Sequence, residues 1–295
     1  MYAQFFGTFL LSHNAVTKEQ LLHALSKKTS QHMKLGTLAI MKGYMTASEV
    51  DNVIISQTHN DCRFGDLAIR EGYLTEEQVD ELVKTQYPDF LLLGQTLVDE
   101  GYITNAQLET LISDYESENE LYDLDYSNEK QDDLDRIFAN FFHTSDLTAD
   151  EYNASYMRLL FNDLTRFIGD DFTPLCFNPC KEYPVNYCVS QTINGESSSK
   201  IYLDMPETTC ISFASRYVNE EFTEFDEYVQ ASLEDFLNLH NGLYNVNISN
   251  ILGKELTLEA PEVVSDELID LSDTSYLLQI MYPFGVVNFI FELQR

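Results

Sequence analysis

Apolar and glycine positions in the first half of the chain recur every 29 residues: Gly7, Gly36, Gly65 and Gly94; Asn14, Gly43, Gly72 and Gly101; and Leu21, Val50, Val79 and Leu108. A period of this length, four times in register, marks a tandem array of supersecondary units. Each unit predicts a helical pair. The first helix is short, carries Leu38, Ala39 and Met41 on its apolar side, and stops at Gly43, a residue that takes the left-handed conformation favoured past a helix end. Thr46 or Thr75 then caps the second helix, with Thr75-Glu-Glu-Gln78 as a capping box, and the second helix is expected to bury Val50 with Ile54, or Val79 with Val83. One such pair cannot bury both of its faces, so the expectation is an all-α domain of four stacked units over residues 1–115.

The pattern changes after that. From Ser113 to Asp135 there are ten acidic residues with Lys130 as the only base, too little apolar surface for a core, which predicts an acidic linker at 116–146. Leu134, Ile137, Phe138, Phe141 and Phe142 make a short amphipathic segment able to dock on either half. A second domain is expected at 147–295. It opens with a capping box, Thr148-Ala-Asp-Glu151, and a helix to about Ile168 with Tyr156, Leu159, Leu160, Leu164 and Phe167 on its apolar side, ended by Gly169. Strands are expected at Cys188–Ile193 and Lys200–Met205, turned at Asn194-Gly195, then at Thr209–Ala214, Glu255–Glu259, Tyr276–Tyr282 and Val286–Leu293, the last two joined through Pro283-Phe-Gly285. This order predicts an α/β domain with a largely antiparallel sheet.

Between those strands lies a helix whose polar face is unusual. At about 3.6 residues per turn, Val229, Leu233, Phe236, Leu237 and His240 share one apolar arc, while Ala231, Asp235, Asn238 and Gly242 share the opposite side. A solvated face normally carries long charged side chains. Here a carboxylate and a carboxamide stand three apart between two small residues, which leaves room for another surface to approach.

Charge and cysteine content narrow the classes. The net charge is −32, which argues against nucleic-acid partners and anionic lipid, since both require cationic contacts. No run of about eighteen or more apolar residues exists and the first residues lack a basic signal region, so a cytoplasmic protein without membrane insertion is expected. Cys176 and Cys180 are separated by three residues, but no Cys-x-x-Cys pair or suitably spaced histidine completes a metal site; Cys62, Cys188 and Cys210 bring the total to five, read as reduced thiols.

The text from Ile211 to Val264 resembles the CheX branch of the CheC/CheX/FliY chemotaxis phosphatases. The residues that carry it are Asp235-Phe-Leu-Asn238-Leu-His-Asn-Gly242, after the acidic Asn219–Glu227 stretch and before Glu255-Leu-Thr-Leu-Glu-Ala-Pro261. The family's pattern has Glu where this chain has Asp235, unless Glu234 substitutes from one residue earlier. The resemblance implies a CheX-like fold and removal of the phosphoryl group from the aspartate of a CheY-like receiver. Asp235 and Asn238 would be the catalytic pair, and Ala231, Glu234 and Gly242 the docking surface. The chain would need no cofactor of its own, because the receiver supplies Mg2+.

The repeats resemble MshEN domains, the N-terminal modules of type II secretion and pilus ATPases, in which tandem motifs bind cyclic di-GMP. The matching residues are Lys34, Leu35, Gly36 and Gln57 in the second copy and Arg63, Phe64, Gly65 and Gln86 in the third. The leading Arg of the motif is Phe5, Lys34, Arg63 and Leu92 across the copies, so one Arg is left to stack and fork as only Arg does. The alternatives left open are a non-enzymatic scaffold, a cyclic di-GMP-responsive adaptor and a homodimer.

Overall fold

The structure, a computed structural model, describes residues 2–28, 32–84, 87, 89–119, 141, 151–195, 198–253, 255–265 and 267–293. It divides into two compact units, Met1–Phe138 and Ala139–Arg295. Most of the acidic linker, the capping box at Thr148 and Gln86 lie outside the described residues.

In the first unit the described residues form α1 (Tyr2–Ser12), α2 (Lys18–Lys28), α3 (Leu35–Met41), α4 (Ala47–Gln57), α5 (Phe64–Arg70), α6 (Glu76–Lys84), α7 (Asp89–Asp99) and α8 (Asn105–Glu118). The even-numbered helices begin 29 residues apart because the same device starts each one. Thr17, Thr46, Thr75 and Thr104 accept from the backbone N–H three residues on, and the side chains of Gln20, Glu49, Gln78 and Gln107 accept in return from the threonine N–H. The preceding turns need positive φ: it is 66° at Gly43, 82° at Gly72, 74° at Gly101 and 54° at Asn14, the non-glycine type that best tolerates it.

The other glycine series has a packing cause. A Cβ on Gly36, Gly65 or Gly94 would stand 2.8, 3.1 or 2.5 Å from Val50, Val79 or Leu108, so each pair closes through a glycine. The expected partners of Val50 and Val79 need correction. Ile54 is 45% and Val83 70% exposed, whereas Val53 and Leu82 are fully buried. The core stripe therefore steps three residues from Val50 and Val79, where the sequence reading stepped four. Likewise Ile40, not Met41, joins Leu38 and Ala39 in the core.

The second unit is built on α9 (Glu151–Asp163), α10 (Glu207–Val218) and α11 (Glu227–Leu252) with ten strands: β1 (Thr173–Pro174), β2 (Asn178–Pro179), β3 (Glu182–Pro184), β4 (Tyr187–Asn194), β5 (Ser199–Met205), β6 (Thr257–Leu258), β7 (Glu262–Ser265), β8 (Leu268–Asp270), β9 (Ser275–Tyr282) and β10 (Gly285–Leu293). The main sheet runs β1-β9-β10-β5-β4-β6, with β2 also on β9 and β7 also on β4. All its pairings are antiparallel. A two-stranded piece, β3 with β8, covers a smaller cluster of Val185, Cys188, Tyr202 and Ile290. Gly285 pairs with Tyr282, so Pro283 and Phe284 form a two-residue turn at φ 148° for the glycine. Ile193 pairs with Ser199, which makes the Asn194-Gly195 connection longer than the two-residue turn its sequence suggests.

The expected strand Thr209–Ala214 is a helix. Pro206 opens α10, and Thr209, Cys210, Phe213 and Ala214 are its buried positions, a spacing that a helix satisfies and a strand does not. The expected strand Glu255–Glu259 shrinks to β6, and β7 and β8 escaped the sequence reading. After α9 the chain makes a π-helical turn, Leu164–Ile168, before Gly169 at φ 132°. That turn shifts the apolar register, so Ile168 is buried where Phe167 was expected. Phe141 is buried against the rings of Phe161 and Phe177.

Candidate functional site

The long helix α11 starts from Asp226, whose carboxylate accepts from the N–H groups of Tyr228 and Val229 at 3.0 Å, and ends at Gly253 with φ 66°. Val229, Leu233, Phe236, Leu237 and His240 are all buried, as their arc predicts. On the other side Tyr228, Ala231, Asp235 and Asn238 are exposed, Gly242 is half-buried and Val246 is exposed again, in one continuous stripe. Glu234 lies off the stripe, half-buried. Its charge acts on Tyr187 of β4, whose hydroxyl is pushed up to about 12 by burial first and by the Glu234 charge second. The carboxylate in line with Asn238 is therefore Asp235.

Both polar residues of the stripe are held from behind. The Tyr217 hydroxyl, from α10, donates to Asp235 Oδ2 at 2.6 Å. Burial, followed by that hydrogen bond and the Asp235 charge, keeps the Tyr217 phenol well above its ordinary range, so it stays a donor. Asn238 Oδ1 accepts from Gln191 Nε2 at 2.8 Å, and Gln191 comes from the middle of β4. Gln191 Nε2 also donates to the Glu259 carbonyl at 2.8 Å, Asn241 Nδ2 donates to Gln191 Oε1 at 2.8 Å, and Tyr156 Oη donates to Asn241 Oδ1 at 2.7 Å.

Gly242 differs from the repeat glycines. A Cβ placed on it meets nothing within 4 Å. A helix-interior glycine costs roughly 0.8–1 kcal/mol relative to alanine, and among the described residues no neighbouring atom accounts for it. Because helical side chains lean toward the N-terminus, a side chain at 242 would lie over Asn238 one turn earlier. The glycine leaves the carboxamide uncovered.

Behind the stripe, His240 Nδ1 is 2.7 Å from Asp163 Oδ2 in the core, and among the described residues its Nε2 has no partner. Burial outweighs the Asp163 contact and holds the imidazole below its ordinary value. The unpartnered Nε2 agrees: a proton there would be a buried, unsatisfied donor.

Residues 187–285 match the family model of chemotaxis phosphatase CheX. The CheX-like region is about a third of the chain, and it contains Gln191, Asp235, Asn238, Asn241 and Gly242. Tyr156 lies before it. Similar solved structures include a chemotaxis protein CheX from Desulfovibrio desulfuricans (12% identity, 49% of this chain and 100% of that one, TM-score 0.43), a CheC-like superfamily protein from Shewanella sp. PV-4 (15%, 50% and 100%, 0.44) and a chain of the CheX-CheY-BeF3-Mg complex from Borrelia burgdorferi (15%, 49% and 99%, 0.41). No curated protein matches the chain.

The nucleotide candidates of the first unit sit where two copies meet. Gly36 faces the Phe64 ring at 3.2 Å and Gly65 faces Leu35 at 3.2 Å, measured from ideal Cβ positions, so α3 and α5 pack reciprocally. Lys34 and Arg63, each the N-cap of its helix, are exposed. Lys34 Nζ is engaged by Asp99 Oδ1 at 2.5 Å. Gln57 Nε2 donates to the Cys62 carbonyl at 3.0 Å beside an open depression of about 630 Å³ lined by Ile54, His59 and Asp61 among others. Among the described residues no group of three or more His, Cys, Asp or Glu is placed to hold a metal ion, and no helix is long and apolar enough to cross a membrane.

Sequence reasoning missed Gln191, Asn241 and Tyr217. The first two carried a signal. Gln191 alternates in phase with Val189 and Ile193, and Asn241 sits one turn after Leu237, so both are polar residues at core positions.

Proposed function

We propose that the second unit dephosphorylates the phospho-aspartate of a CheY-like receiver, docking it along the α11 stripe. The observation that carries this reading is the uncovered Asn238, flanked by Ala231, Asp235 and a glycine with no internal packing reason, inside a region that matches the CheX family. In the reaction a water oxygen bonds to phosphorus as the acyl-phosphate P–O bond breaks; the products are dihydrogen phosphate, which keeps both of the water's protons, and the receiver's free carboxylate. The receiver brings Mg2+ and most of the charge stabilisation, so the phosphatase has to align water and exclude other geometries. Asn238 does the first and Asp235 grips the receiver, most simply at a lysine. Asp in place of Glu shortens that grip by one methylene, and the Tyr217 hydroxyl fixes where it points.

The test is receiver dephosphorylation by the full chain and by Asn238→Ala. Loss of turnover with retained binding of the receiver supports the enzyme. Turnover equal to that of the wild type refutes Asn238, and binding without any turnover in the wild type indicates a receiver-binding scaffold.

A second reading concerns the first unit. We propose cyclic di-GMP as a ligand of the MshEN-like copies, because α3 and α5 bring Lys34 and Arg63 to neighbouring helix starts. With Lys34 already paired to Asp99, Arg63 carries the base stacking. Isothermal titration with cyclic di-GMP tests it, heat of binding that weakens in Arg63→Ala being the expected outcome and no heat the refuting one.

A further inference from the structure

We propose that Gln191 is a positioning residue for the phosphatase chemistry, locking the Asn238 carboxamide with its N–H2 edge outward through a buried relay that runs back to Asn241 and Tyr156. This rests on the phosphatase reading above.

The directions of all four side chains follow from one atom. The Glu259 carbonyl can only accept, so the Gln191 atom 2.8 Å from it is the nitrogen. The second N–H of that nitrogen then points at Asn238, whose near atom must be Oδ1. The Gln191 oxygen in turn faces Asn241, which must present its nitrogen there and its oxygen to the Tyr156 hydroxyl. Gln191 and Asn241 cannot flip without setting two donors or two acceptors against each other where water does not reach, since both are buried with Tyr156, and a flip of Asn238 would set its nitrogen against that of Gln191.

The far end is fixed by packing. The Tyr156 ring meets His240, Tyr244 and Phe291 edge-on, with centroids at 4.6, 4.9 and 5.6 Å. Phe291, Ile201 and Gln191 are register neighbours across β10, β5 and β4, so one row of the sheet supports both ends of the relay. Burial keeps the Tyr156 phenol protonated at any physiological pH, and its donor role does not switch.

The consequence is specific to Asn238. One lone pair of its oxygen is taken, and among the described residues its Nδ2 has no partner. The edge shown to a docked receiver is therefore a donor, suited to an oxygen acceptor such as the attacking water or a phosphoryl oxygen. Without the relay the carboxamide turns freely about its terminal torsion and presents the donor a fraction of the time. Misplacement by about an ångström costs up to about a hundredfold in rate.

The test is steady-state dephosphorylation of a phosphorylated receiver by the full chain. Gln191→Ala is expected to lower kcat about 10- to 100-fold with KM within about twofold, and to add nothing in an Asn238→Ala background. Tyr156→Phe, which keeps the packed ring, is the second variant should Gln191→Ala not fold; it is expected to lower kcat in the same direction by less. A loss that adds to Asn238→Ala, or one confined to KM, overturns the positioning role. Asn238→Asp, which keeps shape and acceptor but not the donor, is expected to be as inactive as Asn238→Ala; turnover near the wild type overturns the outward donor. Selective 15N labelling of the Asn238 carboxamide reads the relay without turnover. An ordered amide in the wild type that becomes mobile in Gln191→Ala upholds the relay, and equal order in both overturns it. If the wild type does not accelerate dephosphorylation while that amide is ordered, the phosphatase reading fails, and the catalytic part of Gln191 with it, but the relay itself does not.

Discussion

Replacing Gly242 separates what the fold requires from what a partner requires. A Cβ at 242 meets nothing within 4 Å, and the residue is in the interior of α11. Gly242→Ala should therefore return the helix-propensity difference, about 0.8–1 kcal/mol, without a packing penalty. For a unit the size of Ala139–Arg295 that raises its Tm by about 2–4 °C. Differential scanning calorimetry of the full chain reads the shift in the transition of the second unit. Gly242→Leu should keep a Tm at or above the wild type but lose receiver dephosphorylation, because its side chain leans back over Asn238. A fall in Tm for Gly242→Ala would mean that the chain's own packing demands the glycine, against an open face at this position. Full turnover by a folded Gly242→Leu would refute the docking face.

Three further outcomes follow from the same geometry. Gly94→Ala puts a Cβ 2.5 Å from Cδ1 of the fully buried Leu108 and should destabilise the first unit by about 1–3 kcal/mol, read as a lower midpoint in urea; an unchanged midpoint would mean that the helix pair can open at no cost. His240 faces Asp163 and the Tyr156 ring, and its folded pKa lies below the ordinary 6.5, so the unfolded chain binds the extra proton first as pH falls. Its contribution is intact above about 6.5 and declines as pH drops from there toward the folded value, so the wild-type midpoint should fall more between pH 7 and 5 than that of His240→Asn, and parallel pH profiles would contradict a buried neutral imidazole. Tyr217→Phe removes the donor to Asp235 and should weaken receiver binding more than it lowers kcat; an effect on kcat alone would place Asp235 with the chemistry instead of the grip.

The parts of this molecule that were legible in sequence are those with local causes. The Thr-x-x-Glu/Gln caps and the residues at positive φ determine helix starts and ends from within a few positions, which is why a 29-residue period leads directly to helix pairs. The two faces of α11 follow from helical periodicity alone. Where the local pattern is ambiguous, tertiary context decided. Thr209–Ala214 has enough apolar and β-compatible residues to read as a strand, but Pro206 and the core behind it make a helix. Ile54 and Val83 were misplaced because a short apolar helix is compatible with steps of three or four, and only the neighbouring helix selects between them. The support of the site was the least visible part. Gln191, Asn241 and Tyr156 lie 50 and 85 residues apart along the chain, and nothing short of the folded sheet joins them.

Phosphatase action through Asn238 is read from the decay of a phosphorylated CheY-like receiver from the same cell, followed with Mg2+ alone, with the full chain, and with its Asn238→Ala form. Decay is expected to be accelerated by the wild type and returned to the receiver's own rate by the substitution. Equal acceleration by both proteins, or none by either across the cell's receivers, would contradict it.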